Sequence, residues 1–370
     1  MLFRNVCLEA FGYVLPDEVV TSDELERRLA PAYDRLRLPP GRLELMTGIR
    51  ERRFFPPGIS MGRTSGESGR RALAAAELAP EHIGALVHGS VCRDYLEPAT
   101  ACGVHHALGL PAECLVYDTS NACLGILTGM LQVAAMIELG QIRAGLIIGT
   151  ECGRTLVENT VARLNADTAI DRREVKQYFA SLTIGSASVA VLLCDRELSR
   201  TQNRLEGAVV RANTFEHGLC QSDGLENFMR TDSEQLMNAG VETAARTFAA
   251  FLNQLVWSRE DIARTVCHQV GVAHRRLMFK ALGLSESLDF PSFETLGNTG
   301  AAALPLTMAL AAEAGQLPRD QRVAMLGIGS GINCQMLGVR WQVSLVDGGP
   351  RDTFGRELAS AASAPLPHRG

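Results

Sequence analysis

The sequence predicts an α/β protein made of a duplicated α/β unit, stacked as a five-layer α/β/α/β/α sandwich. Three observations predict it. Short, unbroken apolar runs alternate with helical stretches, two helices are apolar on nearly every face, and the two halves echo each other at matched motifs.

The apolar runs are 85–88, 114–117, 144–148, 187–193, 265–267 and 323–328, flanked by Gly, Ser or Asp. Unbroken apolarity marks strands covered on both faces. Alternation with helices predicts layers around a largely parallel sheet. In the first half, strand 114–117 leads through Ser120-Asn121-Ala122-Cys123 into the apolar helix 122–137. In the second, Gly297-Asn298-Thr299-Gly300 opens the apolar helix 301–314. Helices this apolar belong between layers, one from each half in a shared middle layer. Ile184-Gly185-Ser186-Ala187 and Ile328-Gly329-Ser330-Gly331 form a second matched pair. The halves are expected at 1–205 and 206–347, followed by a flexible Gly/Ala/Ser/Pro-rich tail at 348–370. Two polar insertions interrupt the pattern. Segment 154–183 is charged and reads as helical, and 215–247 is mixed. Both are candidates for caps over a site or for subunit contacts.

Composition narrows the function classes. The 370 residues are 46% hydrophobic and 21% charged, with a net charge of −5, which argues against general nucleic-acid binding. Ten scattered cysteines show no C-x-x-C pair and no zinc-ligand spacing, so neither a disulfide scaffold nor a metal site is expected. The N-terminus does not read as a signal peptide. Segment 122–137, interrupted by Thr128 and Gln132, is too short to span a bilayer. A reducing, cytoplasmic location with no membrane span is expected.

Four residues can carry chemistry. Cys123 sits at the start of a buried helix, whose positive end favours thiolate and whose free N–H groups suit an oxyanion; taken alone it also reads as a core cysteine. His268 ends the predicted strand 265–267, where α/β sheets bind ligands, and equally reads as a satisfied polar side chain. Asn298 is a catalytic amide or an N-cap. Glu97, before a helix that Pro98 can start, is a base or a carboxylate compensating the helix dipole.

Taken together these residues resemble a family. Asp118-Thr119-Ser120-Asn121-Ala122-Cys123, His268-Gln269-Val270, Gly297-Asn298-Thr299-Gly300 and Gly327-Ile328-Gly329-Ser330-Gly331 occur in the order seen in β-ketoacyl-ACP synthase III enzymes of the thiolase superfamily. Thr47-Gly48-Ile49-Arg50-Glu51-Arg52-Arg53 is similar to that family's N-terminal signature, so the likeness covers about 1–342. Ser90-Val91-Cys92-Arg93-Asp94-Tyr95-Leu96-Glu97-Pro98 and the stretch 326–334 resemble, more narrowly, the acyl-CoA head-to-head condensing enzymes of bacterial long-chain olefin biosynthesis. The resemblance implies a thiolase fold and Cys123 as nucleophile, with His268 and Asn298 as companions. It implies an oxyanion hole from the backbone N–H groups of Cys123 and Ser330. It also implies a homodimer in which Glu97 reaches the partner's active site as the base, with acyl-CoA substrates and no cofactor. Leu124 stands where many of these synthases have Ser. Gln269-Val270-Gly271 replaces the Gln-Ala-Asn of the carrier-protein-dependent enzymes.

Glu97 separates the candidate reactions. A malonyl donor makes its enolate by losing CO₂ and needs no base, whereas a simple acyl-CoA must have its α-proton removed by a positioned base. Non-decarboxylative Claisen condensation of two fatty acyl-CoAs, giving a β-ketoacyl product for an olefin or β-lactone type of pathway, is therefore the leading expectation. A decarboxylative synthase, an acyltransferase to a hydroxyl or amine, and a non-catalytic scaffold stand beside it. Arg50, Arg52, Arg53 and Arg275 are candidates for CoA phosphates, or solvated surface charge.

Overall fold

The computed structural model describes residues 1–223 and 228–349, so most of the expected tail at 348–370 lies outside the described residues. The first half runs β1 (Val6–Val14), β2 (Glu18–Thr21), α1 (Ser22–Arg28), α2 (Ala30–Leu36), α3 (Arg42–Thr47), β3 (Glu51–Phe54), α4 (Met61–Ala76), β4 (Ile83–Gly89), α5 (Thr100–Leu108), β5 (Leu115–Thr119), α6 (Gly125–Glu138), β6 (Ala144–Glu151), α7 (Arg154–Ala166) and β7 (Ala187–Asp195). The second runs β8 (Arg204–Ala212), β9 (Cys220–Asp223), β10 (Phe228–Thr231), α8 (Ser233–Leu255), β11 (Ile262–Cys267), α9 (Val272–Leu282), α10 (Phe293–Leu296), α11 (Ala303–Glu313), β12 (Gln321–Gly329), β13 (Asn333–Trp341) and β14 (Val346–Asp347). All six apolar runs are strands: β4, β5, β6, β7, β11 and β12.

The main sheet has the order β11-β12-β13-β8-β1-β7-β6-β4-β5. Its two parts meet between β8 and β1, where Cys7 pairs with Arg204 and Leu2 bridges Gly207. Outward from that joint the pairings repeat. β1–β7 and β7–β6 are antiparallel and β6–β4 is parallel. β8–β13 and β13–β12 are antiparallel and β12–β11 is parallel. The sheet is thus mixed, and the expectation of a largely parallel one is corrected. Parallel neighbours need a long crossover, whereas β12 and β13 are joined by only residues 330–332. Unbroken apolarity here reports coverage on both faces, not strand direction.

Helices α6 and α11 share one core with strands of both parts of the sheet, forming the expected middle layer. From Ala303 to Ala312, α11 is buried on every side. Helices α4 and α5 cover the outer face of the first part, and α8 and α9 that of the second. A smaller cluster joins α1–α3, β2, β3 and α7 into a cap. Insertion 154–183 is helical, as expected: α7 and two 3-10 turns. Among the described residues, no helix is long and apolar enough to cross a membrane.

The start of α6 lies against the ends of β4 and β6 through three glycines. A Cβ on Gly89 would lie 2.5 Å from the Gly125 carbonyl carbon, and one on Gly149 would lie 2.6 Å from the Gly89 oxygen. Only bare backbone fits, and this contact seats the turn that precedes α6.

Candidate active site

Cys123 lies in a single 3-10 turn, 122–124, ahead of α6 rather than inside it. The chain enters through Ala122 in the left-handed region, at φ 44°. Leu124 N–H donates to Asn121 O at 2.8 Å, closing the turn. The Asn121 amide donates to Thr128 Oγ1 at 2.9 Å and accepts from Asn333 Nδ2 at 2.9 Å. Across the turn stands the end of β12. A Cβ on Gly329 would lie 3.5 Å from both the Cβ and the N of Cys123, so Ser330 follows immediately beyond the sulfur's turn.

His268 follows β11, with its N–H donating to Leu326 O of β12 at 3.1 Å. The next residue of β12, Gly327, faces Leu124. The Cys123 turn and His268 therefore flank the same strand end. The imidazole is buried, Nδ1 has no hydrogen-bond partner among the described residues, and burial pulls its pKa down to about 3, so it is neutral near pH 7. Gln269 has structural work. Its amide donates to Cys267 O and accepts from the N–H groups of Ser292 and Phe293.

Asn298 is held by its backbone: its N–H donates to Thr183 O and its carbonyl accepts from Gly185 N–H, both at 2.9 Å. Its Oδ1 accepts from Gly300 N–H at 3.0 Å across Thr299, and the residue that caps the 3-10 turn 300–302 is Thr299, so the N-cap reading of Asn298 is corrected. That turn packs directly on the Cys123 turn.

A buried acid that sequence reasoning did not single out sits between these turns. Glu151, the last residue of β6, is 5% exposed. Its Oε1 accepts from Val91 N–H at 3.0 Å and from Ala301 N–H at 3.2 Å. Burial holds its carboxyl above the usual range. Cys123 keeps part of its surface open, yet burial first, and the Glu151 charge second, push its thiol up to about 12. The expectation that the helix start favours thiolate is corrected: enclosure outweighs the partial charge of a helix terminus. The signal in the sequence is an acid three residues after the apolar run 144–148, at the same strand's end, where it has to find partners.

Glu97 is exposed and engages no hydrogen bond or ion pair among the described residues. It does not compensate a helix dipole. Helix α5 begins at Thr100, two residues past Pro98, and its first N–H groups, at Thr100 and Ala101, donate to Asp118 at 2.9 Å. The N–H groups of Met61 and Gly62, opening α4, likewise donate to Asp94. The loop is thus anchored by other carboxylates, and Glu97 stands beside the exposed apolar side chains of Val91, Tyr95 and Leu96. Within this chain it is not part of the buried cluster.

The arginines considered for phosphate binding are mostly structural. Arg52 is 1% exposed, with its guanidinium against Val20 O and Ser22 Oγ, and Arg53 reaches Pro16 O. Arg275 pairs with Glu286 and Asp289. Only Arg50 is exposed. A different basic feature emerges in the cap: a cleft of about 380 Å³ lined by Arg37, Arg42, Arg172, Arg173 and Lys176. No ion pair to these five occurs among the described residues. Arg42 opens α3, and Thr47 at its other end abuts Gly271, three residues beyond His268.

Comparison with known proteins gives a consistent picture. Residues 252–341 match the family described as 3-oxoacyl-[acyl-carrier-protein (ACP)] synthase III C terminal. The chain is 41% identical over 352 residues to an acyl-CoA:acyl-CoA alkyltransferase of Shewanella oneidensis, covering 92% of this chain and 100% of that protein. It is 34% identical over 341 residues to one of Xanthomonas campestris, again covering 92% and 100%. Crystal structures of Xanthomonas campestris OleA superpose closely and share its thiolase fold. A cysteine-to-serine variant with bound lauric acid and lauroyl-CoA gives a TM-score of 0.88 at 33% identity, covering 92% of this chain and 100% of that one. The cerulenin-bound form gives 0.89 at 34% identity, covering 92% and 98%.

Proposed function

Because the chain belongs to the acyl-CoA:acyl-CoA alkyltransferase family, spanning the full length of a relative at 41% identity, we propose that it joins two fatty acyl-CoAs by non-decarboxylative Claisen condensation on Cys123. It is an acyl-transferring condensing enzyme, and its chemistry follows from where its groups stand. The Cys123 sulfur attacks the thioester carbonyl of the first acyl-CoA, and its proton leaves with the CoA thiolate. The negative oxygen of the tetrahedral intermediate is met by the N–H groups of Cys123 and Ser330, in a water-poor site where such donors are strongest. The second acyl-CoA sets its thioester oxygen against His268 and Asn298, which donate as enolate charge develops. Glu97 of the partner subunit removes the α-proton. The resulting carbanion attacks the acyl-cysteine, releasing Cys123 and a β-ketoacyl-CoA.

The observation that carries the choice of reaction is Glu97, a carboxylate with no structural task on a loop anchored at both ends. A decarboxylative synthase has no use for it. The half-exposed edge strand β5 and the exposed Val91, Tyr95 and Leu96 support a homodimer, since bare strand edges and apolar loops invite a second copy. Five cations in the cap cleft suit the phosphates of CoA. Ten unpaired thiols support a cytoplasmic setting. The pairing scheme that repeats outward from β1 and from β8 supports 1–205 and 206–347 as the two halves.

The test uses one saturated fatty acyl-CoA with product analysis by mass spectrometry. Wild-type enzyme forms a β-ketoacyl product. Glu97→Ala is still acylated at Cys123 but makes no carbon–carbon bond. If wild type and Glu97→Ala both only hydrolyse the substrate, the condensation reading fails. Release of labelled CO₂ from carboxyl-labelled malonyl-CoA would move the assignment to the decarboxylative reaction.

A further inference from the structure

We propose that Asn121 and Asn333 are positioning residues, forming a staple that holds the two backbone donors of the oxyanion site at their working separation. This rests on the reading of the Cys123 and Ser330 N–H groups as those donors.

The two donors come from different halves. One lies between β5 and α6, the other between β12 and β13. Both sit on irregular backbone just outside the strands, beside Ala122 at φ 44° and Gly331 at φ 122°. Asn121 stands two residues before Cys123, and Asn333 three residues after Ser330. Their side chains bond directly, Asn333 Nδ2 to Asn121 Oδ1 at 2.9 Å, across 212 residues of chain.

Each end of that bond is itself held. The Asn121 amide nitrogen donates to Thr128 Oγ1 at 2.9 Å, which fixes which way the amide faces and ties it to the first turns of α6. The Asn333 amide rests against Gly331: a Cβ there would lie 2.9 Å from Asn333 Nδ2. On the other side of Ser330, Gly329 faces Cys123. Ser330 is thus bracketed between the nucleophile's turn and the Asn333 amide. A bond between two neutral amides adds little to global stability, but an oxyanion donor loses its value when displaced by a fraction of its hydrogen-bond length. Misplacement by about 1 Å can cost roughly 100-fold in rate.

The test compares Asn333→Ala, Asn333→Ser, Asn121→Ala and the double alanine variant with wild type. Single-turnover acylation of Cys123 by an acyl-CoA, read by intact mass, falls about 10- to 100-fold in each single variant. Steady-state kcat falls in step while KM stays within about two-fold. Alkylation of Cys123 by iodoacetamide, which builds no oxyanion, stays within about two-fold and also reports that the variant is folded. The double variant is no slower than the worse single one, because one bond is lost once. The proposal is overturned if acylation stays near wild type, if alkylation falls with acylation, or if the two effects multiply. Cys123→Ala separates the layers of argument. If it is still acylated, the nucleophile reading and the staple fall together. If it is not, normal acylation in the asparagine variants removes the staple alone.

Discussion

Gly89→Ala tests whether the backbone packing beneath the nucleophile is as close as the structure has it. The new Cβ would meet the Gly125 carbonyl carbon at 2.5 Å, its oxygen at 2.6 Å and Ile126 N at 2.7 Å. Non-bonded carbon contacts settle near 3.5–4.0 Å, so β4 and the first turn of α6 must part by about 1 Å. Overpacking of this kind costs roughly 1–3 kcal/mol. Against it, alanine restricts the unfolded chain and returns about 0.4–1 kcal/mol. The overlap wins, because all three contacts are backbone and cannot rotate away, and the net loss is about 1–2 kcal/mol. The kinetic effect is larger. The Cys123 turn rides on α6, and a shift of about 1 Å predicts roughly 100-fold slower acylation. Thermal unfolding and single-turnover acylation measure both. Gly66→Ala gives the opposite sign: on α4 its Cβ would meet Ala107 Cβ at an ordinary 3.6 Å, so helix propensity predicts a gain of about 0.5–1 kcal/mol. Equal melting temperatures and acylation rates for wild type and Gly89→Ala would refute the close-packing argument.

Three further outcomes follow from other parts of the molecule. His274 on α9 is buried, and its pKa is pulled down to about 4; the unfolded chain therefore binds a proton between about pH 6.5 and 4 that the native state refuses, and stability falls as pH falls through that window. His274→Gln should lose about 1–2 kcal/mol less than wild type between pH 7.5 and 5 in denaturant titrations, and equal losses would contradict the burial argument. Reversing charge in the cap cleft with Arg173→Glu and Lys176→Glu should raise KM for acyl-CoA about 10-fold at low salt, with less effect at high salt and none on an acyl-pantetheine lacking the nucleotide; an unchanged KM places the phosphates elsewhere. Leu96 is 95% exposed, and Leu96→Asp should weaken self-association at least about 10-fold by analytical ultracentrifugation, where an unaltered monomer–dimer balance would show that this loop is not covered by a second copy.

Much of the fold was legible because the strands that build the layers are apolar without interruption. The strands that escaped notice carry polar residues with hidden partners. In β1, Glu9 is buried and meets Ser199, Thr201 and the Arg200 N–H. In β13, Gln335 is buried and donates to Thr128. Local pattern cannot announce a polar residue whose partner lies more than a hundred positions away. The same reasoning separates what was readable in the site. Cys123, His268 and Asn298 stood out because each follows a run of recognisable type. Glu151 and the Asn121–Asn333 bond did not, because their roles exist only once distant backbones meet. The thiol's raised pKa was unreadable for the same cause: helix position is local, whereas enclosure is a property of the assembled layers. The basic cleft draws Arg37 and Arg42 from before α4 and Arg172, Arg173 and Lys176 from beyond α7, two stretches that look unremarkable apart.

The sulfur belongs to one half of the chain, and the imidazole, the carboxamide and Ser330 to the other, and the site exists only where the turns of the two halves pack together. Neither half alone carries a complete reaction centre, so a nascent chain with only its first half folded holds the thiol without the imidazole, the carboxamide or the second backbone donor. Reactivity arrives with docking. Acyl transfer onto Cys123 can therefore serve as a clock for the final assembly of the molecule, starting only when the second half has closed over the first.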